Sequence, residues 1–251
     1  MAPTGTVDQI QGSLNDAFDS AREAVDKIVA KFQEIEDDTG WERVIILGPV
    51  AAKTIRDKVD DLKAAKEKFV EMFDDALPHK LPVLSLMVQS FAWIDNVKTP
   101  ISNLSPQVST WRDENLAYWS GGAGLSYRTN KVVAQKNAID DVAAKAESIS
   151  DWLFTIAQRN VEYMVEFADW AAKVAGNYVQ CAIEAGSLIG VLEAVSTAAD
   201  VVGDAVTQMI EQLTNTVERF VEAVGDDRQI HSVMGDHTNL PGGRWPQAVT
   251  D

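Results

Sequence analysis

Apolar positions recur along this chain in steps of three and four, separated by charged and small residues. That spacing marks helices that bury one face. The first stripe runs from Leu14 through Phe18, Ala21, Val25, Ile28 and Phe32 to Ile35. It predicts a helix that starts near Thr6 or Asp8 and ends at Asp37-Asp38-Thr39-Gly40, with Gly40 as its C-cap. A second stripe, Ile55, Val59, Leu62, Phe69, Phe73 and Leu77, predicts a helix from Pro49 to Leu77. Proline suits the first helical turn, where its missing N–H is no loss. The two helices read as an antiparallel hairpin with a solvated outer face of Lys, Asp and Glu. Val44-Ile45-Ile46-Leu47, ahead of Gly48-Pro49, fits a short helix or an apolar connector better than a strand.

Pro78 and Pro82 are expected to break the chain. A third helix is predicted over 83–97. Pro100 and Pro106 should kink or interrupt it, before helix resumes through Val108, Trp111 and Leu116 to Trp119. Beyond Gly124 a long stripe follows: Ile139, Val142, Ala146, Ile149, Leu153, Ile156, Asn160, Tyr163, Phe167, Trp170 and Val174. Its threes and fours alternate without a slip, the repeat of a left-handed bundle seam. Asn160 falls on that seam, where a buried amide would fix register; at a bundle end it would instead be wet. Tyr163 and Trp170 are expected at the same interface. A turn or kink is expected between 174 and 190, and then a last helix from Leu188 to Val224, closed by Gly225. Residues 226–251 show no period and read as a flexible tail carrying Trp245.

The pattern therefore predicts an all-α fold, an elongated antiparallel bundle of four or five long helices with a disordered C-terminal tail. Its expected organisation is an N-terminal hairpin over 1–80, a second hairpin with an extended helix over 81–225, and the tail over 226–251.

Composition narrows the chemistry. Of 251 residues 46% are hydrophobic, enough to fold. Lys and Arg number 22 against 38 Asp and Glu, a formal charge of −16 that repels phosphate backbones and excludes nucleic acid as a main partner. Cys181 is the one cysteine, so no intrachain disulfide forms, and it reads as a small buried hydrophobe. His231 and His237, with Asp236, lack a clear fourth ligand, so no metal site is expected. Adjacent acids such as Asp60-Asp61 and Asp74-Asp75 point in different directions on a helix. Gly122 and Gly124 follow no strand and make no dinucleotide fingerprint. No catalytic constellation and no cofactor site emerges. The most apolar stretch, 181–203, contains Glu184, Glu193 and Asp200 and reads as a buried helix. Its part over 186–203 leaves open a membrane-acting alternative, the hairpin of an α-helical pore-forming toxin. The N-terminus shows neither a positive n-region nor an apolar h-region, so no Sec-type signal is expected.

The densest motif is Trp119-Ser120-Gly121-Gly122-Ala123-Gly124-Leu125-Ser126-Tyr127-Arg128. Its three glycines are expected to take positive φ and reverse the chain, with the Trp119 indole folded over the next helix and Tyr127 packed against it. The motif resembles the Trp-x-Gly helical hairpins exported by type VII (ESX) secretion systems of actinobacteria and firmicutes. The resemblance covers about Leu84 to Met164 and rests on Trp119, Gly121, Gly124 and Tyr127. It implies a non-enzymatic, secretion-associated protein, cytoplasmic before export and secreted or at the cell envelope after it. It would pair helices with itself, with another helical-hairpin protein, or with the secretion machinery. The Tyr-x-x-x-Asp/Glu signal carried by many such substrates is absent: Tyr118, Tyr127, Tyr163 and Tyr178 are followed at that spacing by Gly122, Lys131, Phe167 and Ala182. An intracellular helical adaptor remains the other alternative within this architecture.

Overall fold

A computed structural model describes residues 7–38, 46, 48–109, 118–185, 195–197, 200, 203–204, 207–208, 211 and 228–246. The described residues form helices and their connections, with no strand among them. The fold is all-α. The described chain divides into two compact units. One is built from Ser85–Ala157 with 228–246, the other from Asp8–Leu84 with Gln158–Phe220. Neither is a continuous stretch of sequence.

In the second unit α1 (Val7–Asp38) buries the stripe that the apolar spacing marks, and α2 (Pro49–Ala76) buries most of the second, with Val59 and Leu77 half-buried. Leu14, Phe18, Ala21, Val25, Ile28, Phe32 and Ile35 are all buried on α1, and Ile55, Leu62, Phe69 and Phe73 on α2. Gly48 precedes α2 with φ +90°, a conformation that glycine adopts without strain, and Pro49 opens the helix. The two helices run antiparallel. Lys66 Nζ lies 4.4 Å from the Phe32 ring and Lys80 Nζ 5.1 Å from the Phe18 ring. The lysine partner therefore moves backward along the chain as the phenylalanine moves forward.

The prolines act more gently than expected. Residues Leu77–His79 form one 3₁₀ turn, with Ala76 and Lys80 both right-handed helical, and α3 (Lys80–Trp93) follows directly. Pro78 and Pro82 do not break the path, because each falls within the first turn of an element, where no N–H is needed. Ahead of Pro100 the chain widens into a π turn, Ile94–Lys98, in which the Thr99 N–H bonds to the Ile94 carbonyl. Helix continues as α4 (Thr99–Ser102) and, after a turn at 103–104, as α5 (Ser105–Ser109).

After Trp119 come α6 (Gly121–Ser126), a π turn (Tyr127–Lys131) and α7 (Val132–Ala185), a helix of 54 residues. In the first unit α3 and the π turn after it run antiparallel to α7. Lys98 pairs with Glu147 at 2.6 Å, the buried Ser150 hydroxyl donates to the Ser90 carbonyl at 2.7 Å, and Phe91 meets Phe154 edge-on at 5.9 Å. In the second unit Phe167 stacks on Phe69 and Phe73, with ring centroids 5.7 and 6.2 Å away.

The buried line on α7 departs from the predicted seam. It runs Ile139, Ala143, Ala146, Ser150, Phe154, Ala157, Val161, Met164, Ala168, Ala171, Ala175, Tyr178 and Ala182. Two successive steps of four, from Ala146 to Ser150 and on to Phe154, move the line one position later than a strict alternation. The average step then approaches the 3.6 period of a straight helix rather than the 3.5 of a supercoiled seam. Leu153, Phe167 and Val174 remain buried beside it.

Part of the aperiodic C-terminus has regular structure, where the sequence pattern led to a tail without it. Residues 228–235 are helical, and Pro241–Gly243 form a 3₁₀ turn. Their anchors lie on α7, far away in sequence. Lys145 Nζ donates to the Asp236 carbonyl and Gln135 Nε2 to the Pro246 carbonyl. Lys145 is itself buried and stands 2.8 Å from Asp141 Oδ2, an ion pair made by charge without hydrogen-bond alignment.

Several expectations fall outside the described residues: the Gly40 cap, the Trp111–Leu116 helix, the Cys181 side chain, most of the 186–203 segment and most of the final helix to Gly225.

Candidate functional site at the Trp119 turn

The Trp119 turn is built from local backbone chemistry. Tyr118 lies in a turn and Trp119 is non-helical, so helix does not reach Trp119 as its spacing predicted. Ser120 is extended, at φ −104° and ψ 170°, and caps α6 without a side-chain hydrogen bond. Gly121, the first residue of α6, takes φ +89°. A side chain would be strained there.

The other two glycines differ from expectation, since neither has positive φ. Gly122 has open space where a Cβ would stand. Gly124 is buried because the chain folds back on it. A Cβ there would collide with the Trp119 carbonyl oxygen and lie 3.0 Å from the carbonyl carbon. The role of Gly124 is thus close approach, not backbone reversal.

This contact sets the indole. Trp119 meets Tyr127 with ring centroids 5.4 Å apart and planes tilted by 42°, within the range of favourable aromatic pairs. Arg128 Nη2 donates to the Trp119 carbonyl at 2.8 Å. Arg128 fastens the turn from the helix side, and the only sequence signal for it is its place directly after Tyr127. Trp119 stays 40% exposed, and its neighbours Tyr118 and Leu125 are 86% and 63% exposed. The turn therefore presents aromatic and apolar surface while its backbone is fixed from within.

The three seam candidates lie elsewhere. Asn160, Tyr163 and Trp170 are half-buried, each one position before a buried residue: Val161, Met164 and Ala171. Burial pushes the Tyr163 phenol above its ordinary range. Trp170 carries Lys173 Nζ 4.6 Å from its ring.

Sequence reasoning missed Tyr178. It is fully buried, and its hydroxyl donates to the Leu62 carbonyl of α2 at 3.0 Å. Its place on the 3.6-period line would have been the signal. Among the described residues no group of three His, Cys, Asp or Glu side chains is arranged to hold a metal ion. No described helix is long and apolar enough to cross a membrane.

The geometry defines an all-α protein with a glycine-containing tryptophan turn ahead of the longest helix among the described residues. In comparisons with known proteins, no family model, no curated relative and no solved structure matches the chain.

Proposed function

We propose that this chain is a non-enzymatic helical protein of the Trp-x-Gly type, associated with type VII (ESX) secretion, that acts by pairing helical faces with itself or with another helical-hairpin protein. The observation that carries the reading is the contact between Gly124 and the Trp119 backbone. It gives the Trp, Gly124 and the aromatic eight residues on one joint purpose, holding an indole over the start of a long helix. The 86% and 63% exposure of Tyr118 and Leu125 beside it supplies apolar surface of the kind that partner helices cover.

Export is the test. The protein should accumulate in culture filtrate and disappear from it when the secretion ATPase is deleted, while its level in the cells persists. Trp119→Ala should lower the exported fraction, provided that its cellular level matches the parent. Equal amounts in the filtrate with and without the ATPase would overturn the reading and favour an intracellular adaptor.

A further inference from the structure

The Asp236–Pro246 segment lies antiparallel along α7. Its start is held by Lys145 and its end by Gln135, so ten positions forward on one strand of chain match ten backward on the other. Gly242 and Gly243 bend it with φ of +63° and +68°. The Gly243 N–H bonds to the Leu240 carbonyl at 2.8 Å. Between segment and helix opens a cleft of about 600 Å³, lined by Lys131, Asn137, Asn239, Arg244, Trp245 and their small and proline neighbours.

We propose that this cleft binds an acidic peptide segment of a partner protein, one that carries an apolar side chain beside its carboxylates. The proposal does not rest on the Trp119 turn or on export, and it names a different surface from the one argued above.

Charge is the first argument. The chain has a formal charge of −16, yet among the described residues the cleft lining contains two cations and no carboxylate. The nearby acids are already engaged. Asp236 accepts from the Thr238 N–H and hydroxyl, Asp140 pairs with Lys136, and Asp141 with Lys145. Lys131 and Arg244 form no ion pair with any described residue. The cleft is thus a local positive site on an acidic protein. It attracts carboxylates, while the surrounding field repels the long polyanion of a nucleic acid.

Shape and polarity give the rest. Trp245 is 49% exposed and lines the cleft together with Arg244. Aromatic and Arg side chains together are the groups that anchor protein interfaces. The Asn137 and Asn239 amides offer donors and acceptors to a peptide backbone. The cleft is open to solvent, and its volume of about 600 Å³ lies within the range of roughly 300–1,000 Å³ typical of ligand pockets. Its walls are preset by the two anchors and the glycine bend, so little ordering remains to be done on binding.

The test uses the full chain and a fluorescein-labelled decapeptide of Glu, Asp and Leu, followed by anisotropy at low salt. Controls are the same peptide with Lys for every acid, and an acidic peptide with Ser for every Leu. The acidic–apolar peptide should bind about tenfold or more tighter than the basic one, and added salt should weaken it. Lys131→Gln with Arg244→Gln should cost about tenfold, and the double charge reversal to Glu more than that. Trp245→Ala should weaken the acidic–apolar peptide and leave the Ser control unchanged. Far-UV circular dichroism confirms that each variant folds, and the Gln pair serves if the Glu pair does not. Equal binding of acidic and basic peptides, or no loss in either double variant, would overturn the proposal. So would full displacement of the peptide by millimolar inorganic phosphate, which would assign the cleft to small anions. A dimer that the double variants abolish would assign it to a second copy of this chain and overturn it as well.

Discussion

Tyr178 reaches from α7 to α2 and donates its hydroxyl proton to the Leu62 carbonyl, 3.0 Å away, with both residues fully buried. The Leu62 carbonyl lies within α2, where the helix ladder already supplies an acceptor role. The tyrosine bond is therefore a second bond to one oxygen. Tyr178→Phe should lower stability by about 1 kcal/mol, and Tyr178→Ala by about 3–5 kcal/mol through the cavity it leaves. Urea unfolding of the two variants checks this, and equal losses would mean that the ring packs loosely.

Glycines 122 and 124 are two residues apart and should respond in opposite ways. Gly124→Ala forces a methyl into the Trp119 carbonyl and should destabilise by about 1–3 kcal/mol, the usual penalty of overpacking. Gly122→Ala meets open space and should be neutral or stabilise by up to about 1 kcal/mol, as helical glycine replacements do. Thermal melts followed in the near ultraviolet, where the indole reports, would show the contrast.

Full burial of the Trp119 ring would make its removal worth about 3–5 kcal/mol. At 40% exposure the expected loss for Trp119→Ala is about 2 kcal/mol. A double-mutant cycle with Tyr127→Ala should return a coupling of about 0.5–1.5 kcal/mol for the ring pair. Zero coupling would mean that the two rings act independently.

Lys145→Met keeps the aliphatic stem but removes the charge that faces Asp141 and the Asp236 carbonyl. The buried Asp141 Oδ2 is then left without its counter-ion, and the Asp236 carbonyl loses its donor. A loss of about 1–3 kcal/mol is expected. The sharper readout is limited proteolysis, with cleavage within 236–246 becoming faster once its anchor is gone.

Two carboxylates tie stability to acid. The Thr238 hydroxyl, and then its N–H, hold Asp236 below the usual carboxylate range. Hydrogen bonds from Lys136, and then Ser105, do the same for Asp140. A lowered folded pKa means that the native state binds the proton more weakly than the unfolded chain. The stabilisation is therefore complete above the ordinary carboxylate value of 3.8. It is lost as pH falls through the lower folded values. Thr238→Val should move the Asp236 titration upward when followed by carbon NMR of the side-chain carboxyl. An unchanged titration would show that the backbone N–H alone sets it.

Much of the fold was legible in the pattern. The α1 stripe from Leu14 to Ile35 is buried residue for residue, because the i to i+4 geometry that spaces it is a property of the helix alone. Proline at the start of α2 and glycine at 121 were legible for the same reason, being answers to local backbone demands. On α7 the reading slipped. Large residues such as Tyr163 and Trp170 drew the seam toward themselves, while alanines 157, 168, 171 and 175 occupy the buried line. Small side chains give a weak sequence signal, yet they are what closely packed helices admit. At the Trp119 turn the positive φ expected of three glycines is found at Gly121 alone, and the purpose of Gly124 depended on where the Trp119 carbonyl came to rest.

The sequence by itself determined that this protein is helical, where α1 and α2 begin, and that Gly121 would take positive φ. Those features are decided within a few residues, by spacing and by the φ each residue tolerates. Only the tertiary structure decided that Tyr178 would bond to Leu62, 116 positions away, and that Lys145 and Gln135 would hold the C-terminal segment across 91 and 111 positions. Such pairings arise from the packing of whole helix faces, and no local period encodes which distant carbonyl a buried donor will find.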